Sequence, residues 1–192
     1  MASMNKLQFK IPVRIKKNLL FIFLFFSSNL LLSCNGNKLK KQQNQFKASI
    51  DLIAYRNNSI QLFYLVNADD AYTGELNIRK NIKASKHLQN LVFELPFGVK
   101  PKNIRIDLGE NENENDSLQI QNISFEYKNQ ILNGNNGLYK KWFHFNQNVV
   151  QGKNRLRFHL KKVNGVFDPQ LNGNRKLNAL LVKLFRPDIN EK

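Results

Sequence analysis

Cysteine, histidine and acidic residues are scarce in this chain. It has one Cys and three His, which excludes a disulfide framework and a cysteine-based zinc site and argues against a histidine-rich metal centre. Only 14 residues are acidic against 30 basic ones, so the formal net charge is +16. Yet 42% of the 192 residues are hydrophobic and 15 are Phe. Such a chain is expected to fold, and its length suits one domain plus a short extra segment.

Long apolar runs are also missing, apart from one near the N-terminus. Residues 1–18 contain five basic residues and no acid, and the apolar run Leu19–Leu32 follows them. The run is shorter than the roughly 20 residues that a membrane-spanning helix needs. A basic segment, a short apolar run and a small residue after it are typical of an export signal. We therefore predict a signal peptide over residues 1–33.

The single cysteine directly follows this run, in the segment Leu31-Leu32-Ser33-Cys34. The segment resembles the lipobox of bacterial lipoproteins. That resemblance implies that Cys34 is acylated with fatty acids such as palmitate and becomes the mature N-terminus, so that the protein is held on a membrane by lipid. Several acyl chains hold a protein stably, at about 0.8 kcal/mol for each buried CH₂. The alternative is an ordinary thiol behind an uncleaved membrane anchor.

A polar, basic segment separates Cys34 from the remainder of the chain. Residues 34–46 are rich in Gln, Asn and Lys, which predicts a flexible tether. The sequence resembles lipoproteins of the Bacteroidota, whose cell-surface members usually have acidic residues just after the cysteine. Here the first acid is Asp51. The resemblance therefore implies an envelope protein on the outer membrane, facing the periplasm.

The mature chain remains strongly basic. Removal of residues 1–33 leaves 25 basic and 14 acidic residues, a net charge of +11. Such a protein is attracted to anionic lipid head groups or an anionic glycan, whereas export argues against nucleic acid as the partner. A solvated lysine-rich surface without any partner is the alternative.

Alternating apolar residues predict that residues 47–192 form one all-β domain, an antiparallel β-sandwich. Ser49–Tyr55 and Ile60–Val66 flank a turn, which predicts a hairpin. Ile104–Leu108 alternates apolar with charged residues. The alternation from Leu118 slips at Gln121 and resumes at Ile123, which predicts a β-bulge. The period of the last apolar run, residues 177–185, fits either a strand or a short helix.

Five fragments in chain order resemble known β-sandwich modules. They are Ser59–Tyr64, Val92–Pro96, Ile104–Gly109, Leu118–Phe125 and Val166–Gln170. Their order is similar to that in modules attached to bacterial membrane glycosyltransferases and surface-polysaccharide proteins. The resemblance implies a jelly-roll-like sandwich that binds carbohydrate, but it assigns no ligand residue.

Three acids on predicted strands, Glu94, Asp107 and Glu126, are candidates for paired carboxylates, which glycan hydrolysis requires. Surface charges paired with Lys or Arg are the simpler interpretation. The acidic loop of residues 109–116 offers oxygen ligands of the kind that Ca²⁺ takes. It lacks a defined calcium motif, so a solvated turn is favoured. No metal or other cofactor is predicted.

The densest aromatic patch supplies the candidate ligand-binding residues Tyr139, Trp142 and His144, because sugars stack on aromatic faces. Burial of alternate members in the core is the competing interpretation. The sequence has no GxSxG motif, phosphate-binding glycine loop or Cys–His nucleophile pair, so it favours a protein that is not an enzyme. The leading hypothesis is a lipid-anchored, non-catalytic binding or accessory module for an envelope glycan or a partner protein. A glycan hydrolase and a structural adaptor in an envelope complex are the alternatives.

Overall fold

The computed structural model describes residues 44–110 and 116–186, with only the backbone of Asp116. Cys34, the predicted signal peptide and most of the predicted tether lie outside these residues. Within them the chain forms eleven strands, a 3₁₀ segment (Asn135–Lys141) and one α-helix, α1 (Arg175–Leu184). The strands are β1 Lys47–Ala54, β2 Asn58–Leu65, β3 Asn77–Ile82, β4 Gln89–Glu94, β5 Asn103–Asp107, β6 Asp116–Tyr127, β7 Gln130–Asn133, β8 Phe143–Phe145, β9 Val149–Gln151, β10 Arg157–Leu160 and β11 Gln170–Gly173.

These strands form two antiparallel sheets. Sheet A has the order β4-β1-β6-β10-β9, with β7 also paired to β6. Sheet B has the order β3-β2-β5-β11-β8. Buried residues of both sheets belong to one hydrophobic core, so the predicted all-β sandwich is confirmed.

The core forms because apolar residues alternate along the strands. On β1 every second residue is buried, including Ile50 and Leu52, and on β5 Ile104 and Ile106 are buried. Successive side chains of a strand point to opposite faces. The intervening residues therefore lie on the outer face of each sheet, where they are available to a ligand.

The packed body begins slightly before β1. Phe46 is fully buried, and its ring centroid lies 5.8 Å from that of Phe125 and 5.7 Å from that of Phe185. The Gln45 amide nitrogen donates to the Leu95 carbonyl oxygen at 2.8 Å. Phe46, which we assigned to the tether, is therefore a core residue, because its ring fills the space between sheet A and the chain end after α1.

The predicted hairpin of β1 and β2 is wrong. β1 pairs with β4 and β6 in sheet A, whereas β2 pairs with β3 and β5 in sheet B. The three residues between these strands cross from one sheet to the other. Both strands point their apolar residues into the core, so their sequences alternate just as a hairpin's would.

The predicted bulge in β6 is confirmed. Asp51 of β1 is opposite Asn122, whereas the next residue, Leu52, is opposite Ile120. Gln121 is therefore the extra residue. Because it shifts the register by one, Ile120 and Ile123 both point into the core.

The ambiguous C-terminal run forms helix α1. The side-chain oxygen of Asn174 accepts hydrogen bonds from the backbone N–H groups of Lys176 (2.9 Å) and Leu177 (3.2 Å), which satisfies donors that a helix start leaves free. The buried residues Leu177, Leu181 and Leu184 share one helix face. No helix in the described ranges is long and apolar enough to cross a membrane.

Candidate functional site

Two residues of the predicted aromatic patch are core residues. Tyr139 is fully buried and Trp142 is 1% exposed. The Tyr139 hydroxyl donates to the Ile120 carbonyl oxygen at 3.0 Å, and burial raises the pKa of this phenol. The Trp142 ring lies 6.1 Å from that of Phe125. Neither ring is available to a sugar, so their assignment to a ligand site is corrected: the 3₁₀ segment packs them against β6.

The third candidate, His144, is exposed on the outer face of sheet B. It lies on the edge strand β8, opposite Asn172 of β11. Its neighbour Phe143 points inward and is buried. A ligand contact by His144 therefore stays a prediction.

The three candidate carboxylates do not converge. Glu94 and Glu126 lie on either side of Lys47 in one row on the outer face of sheet A. Lys47 forms an ion pair with Glu94 at 3.6 Å. Asp107 lies on the outer face of sheet B. The sandwich core separates it from the other two, so Asp107 cannot form an acid–base pair with either of them.

The outer face of sheet B is largely polar, and its side chains form two neighbouring rows across the strands. The first row contains Arg79, Gln61, Asp107 and Gln170. The second contains Asn77, Phe63, Arg105, Asn172 and His144. These residues come from five separate strands, and only the pairing of the strands brings them together.

Arg105 is the best-fixed side chain of this face. Its Nε and Nη2 atoms donate to the two carboxylate oxygens of Asp107 at 2.9 and 3.0 Å. Its guanidinium lies 4.1 Å from the Phe63 ring centroid and 5.2 Å from that of Tyr72. Both rings therefore stabilise the cation. These contacts fix the Arg105 side chain, and its two hydrogen bonds orient the Asp107 carboxylate on the outer face of sheet B.

Two groups beside Arg105 have altered proton affinities. Burial raises the pKa of Asp107, and the charges of Asp168 and Glu110 raise it further, while the hydrogen bonds and charge of Arg105 oppose the shift. Burial also raises the pKa of Tyr72, whose hydroxyl oxygen is buried without a hydrogen-bond partner in the described structure. This end of the face is therefore partly shielded from water.

Two adjoining depressions, here called the polar groove, run along the end of this face. A cavity of about 400 Å³ is lined by Asn57, Asn58, Ser59, Asn81, Ile82, Lys83 and Glu110. A smaller one of about 110 Å³ is lined by Ser59, Gln61, Asp107, Gly109, Glu110, Phe167 and Asp168. The two share Ser59 and Glu110. Glu110 is fixed by an ion pair with Arg79, and its backbone N–H donates to the Asn58 side-chain oxygen at 3.1 Å.

The polar groove offers hydroxyl, amide and carboxylate groups beside one half-buried aromatic ring, that of Phe167. Asp168 is exposed, and its Oδ2 atom accepts from the Gln170 amide at 2.6 Å. Such groups can pair with the hydroxyls of a sugar ring, while an aromatic ring can cover its apolar face.

No metal centre is evident in the parts of the chain that the structure describes. They contain no group of three or more His, Cys, Asp or Glu side chains placed to hold an ion. The acidic loop considered for Ca²⁺ falls mostly on residues 111–115, which lie outside the described residues.

Sequence reasoning missed most of the groove. It named Asp107 and, within the acidic loop, Gly109 and Glu110, but not Gln61, Phe167 or Asp168. One signal was present, because Gln61 interrupts the apolar residues of β2 and so marks a residue of the outer face. Asp168 lies more than 100 positions further along the chain, and no local sequence pattern predicts that it lines the same groove as Gln61.

Comparison with known proteins adds no relative. No protein-family model, no curated protein and no solved structure matches this chain.

Proposed function

We propose that this protein is a lipid-anchored protein of the bacterial envelope whose β-sandwich binds an envelope glycan without catalysing a reaction. Cys34 would hold the lipid, and the residues up to about Asn44 would tether the body to the outer membrane on its periplasmic side. The observation that carries the binding role is the polar groove of sheet B.

The composition of the groove supports a sugar ligand. Ser59 and Asp168 offer a donor and acceptors, which polyhydroxylated rings require. The Gln61 amide donates to Asn77 and accepts from Arg79, which leaves one N–H and one lone pair for a ligand. Arg79 and Arg105 each form an ion pair with an acid on the same face. The face therefore has little excess charge, and neutral sugar hydroxyls fit it better than a highly charged group does.

Hydrolysis has less support. Asp107, the only predicted carboxylate in the groove, offers both oxygens to Arg105, whereas a general acid must be free to release its proton to the glycosidic oxygen. A partner protein instead of a glycan has no specific observation in its favour.

The test is binding of the purified full chain to an array of bacterial-surface oligosaccharides. The double variant Gln61→Ala/Asp168→Ala removes two groove side chains that are not in the core, and Ser124→Ala on the outer face of sheet A is the matched control. We expect the groove variant to lose at least about tenfold in affinity, or roughly 1.4 kcal/mol, and the control to bind normally. Equal binding by all three proteins would rule out the groove as the glycan site.

A further inference from the structure

We propose that a second surface, on sheet A, binds an extended anionic polymer such as a carboxylated or phosphorylated polysaccharide. This surface, the cationic ridge, consists of Arg155, Arg157, His159 and Lys161 along β10 and its flanks, with Lys140 beside them. It lies on the sheet opposite to the polar groove and is independent of it.

The alternation of β10 creates the ridge. Phe158 and Leu160 are buried in the core, so Arg157 and His159 point outward. Arg155 lies in the preceding turn, and Lys161 directly follows the strand. At about 3.3 Å per residue, Arg157, His159 and Lys161 cover roughly 13 Å in a line, and Arg155 precedes them in the turn. Lys140 joins them because its Nζ donates to the Arg155 carbonyl oxygen at 2.7 Å.

The ridge contrasts with the cations of sheet B, since no carboxylate among the described residues forms an ion pair with it. The ion pairs among the described residues are Lys47–Glu94 on sheet A, and Arg79–Glu110 and Arg105–Asp107 at sheet B. The residues opposite Arg157 and His159 on β6 are the neutral Gln119 and Ser117. The pKa of Lys140 is lowered by partial burial and by the charge of Arg155. Among the side chains that the structure describes, like charges therefore meet here without a counter-charge, which an anionic ligand would supply.

Arg157 gives the ridge a fixed centre. Its guanidinium lies 4.6 Å from the Tyr55 ring centroid, and its Nη2 donates to the Ser117 hydroxyl at 3.0 Å. The Nε atom is buried without a hydrogen-bond partner in the described structure. Because the guanidinium is already ordered, the Arg157 side chain would lose less conformational entropy when an anion binds to it.

The ridge lies away from the end of β1 at which the packed body begins. Gln119 of β6 lies between Arg157 of β10 and Ile53 of β1. Lys47 lies at the end of β1 that the predicted tether precedes. Ile53 is six residues further along β1, about 20 Å from Lys47. A line of cations along one strand fits a chain with repeated anionic groups.

The test compares two variants of equal charge. The ridge variant is Lys140→Gln/Arg155→Gln/Lys161→Gln, which leaves the packed Arg157 in place. The control variant is Lys86→Gln/Lys102→Gln/Lys183→Gln, whose three lysines are exposed and lie elsewhere. The full chain, purified in neutral detergent, is titrated with fluorescent polygalacturonate and with neutral dextran, and circular dichroism checks the fold of each variant.

We expect the wild type to bind polygalacturonate but not dextran, with affinity that falls as salt is added. The ridge variant should bind at least about tenfold more weakly and the control variant less than about threefold more weakly, since local charge complementarity outweighs net charge. Equal losses in the two variants would overturn the proposal. Loss of polymer binding when phosphatidylglycerol is mixed into the micelles would assign the ridge to lipid head groups instead. The groove variant Gln61→Ala/Asp168→Ala should retain binding, which separates this result from that for the glycan site.

Discussion

Arg105 and Asp107 lie two residues apart on β5, and the guanidinium binds the carboxylate through two parallel hydrogen bonds of 2.9 and 3.0 Å. Both side chains are about four-fifths buried. Bidentate hydrogen bonds of this geometry favour the ion pair, yet burial raises the free energy of the charged form of each partner. Here burial outweighs the arginine, so the pKa of Asp107 is raised.

This pair predicts how stability depends on pH. In the folded state Asp107 keeps its proton above the ordinary pKa of 3.8, whereas the unfolded chain has released it. The contribution of Asp107 to stability is therefore largest below that pKa and falls as pH rises through the raised one. Asp107→Asn cannot titrate. We subtract the unfolding free energy of the variant from that of the wild type. We expect this difference to fall as pH rises from about 3.5 and to level off above the raised pKa.

The measurement is urea denaturation of both proteins at a series of pH values. A difference that grew with pH would contradict the raised pKa, because it would mean that the arginine outweighs burial.

Trp142 and His144 form a second, matched test, because they are two residues apart and were predicted to share one role. Trp142→Ala should lower the unfolding free energy by about 3–5 kcal/mol, since it leaves a large cavity in the core. His144→Ala should change it by no more than about 0.5 kcal/mol, because the side chain is exposed. Thermal and chemical denaturation would measure both. A small effect of Trp142→Ala would mean that the ring is not in the core.

Gly134 marks the place where the 3₁₀ segment closes on β6. A Cβ atom here would lie 2.5 Å from the Ile123 carbonyl oxygen and 2.8 Å from Cζ3 of Trp142. Gly134→Ala should therefore destabilise the protein by about 1–3 kcal/mol.

Gly74→Ala is the control for that substitution, because nothing lies within 4 Å of the corresponding Cβ and its φ is not positive. It should be neutral or stabilise by up to about 1 kcal/mol through a less flexible unfolded chain. Similar effects at the two glycines, measured as midpoints of urea denaturation, would contradict this packing.

The proposed lipid anchor is tested separately from the fold. Cys34→Ala removes the only thiol of the chain, so metabolic labelling with a fatty-acid analogue should disappear and the protein should no longer remain with membranes through attached lipid. Gly74→Ala should label normally and serves as the control. Persistent labelling of Cys34→Ala would show that the lipobox has been misidentified.

The sequence by itself determined the fold class and the outward or inward direction of most strand residues. Ile104, Ile106 and Leu108 are buried as their spacing predicts, and the slip at Gln121 is a bulge. These features are local, because a side chain's face depends only on its position along its own strand.

Only the tertiary structure decided which strands pair and which aromatic residues are buried. Alternation specifies a face but not a partner, so it could not distinguish a hairpin of β1 and β2 from the observed crossing between sheets. The same limit explains why Tyr139 and Trp142 were assigned to a site. Whether an aromatic ring is covered depends on the element that packs over it, and here Gly134 allows the 3₁₀ segment to close on β6. The polar groove likewise needs Gln61, Asp107 and Asp168 to meet, and long-range strand pairing, which no short stretch of sequence encodes, brings them together.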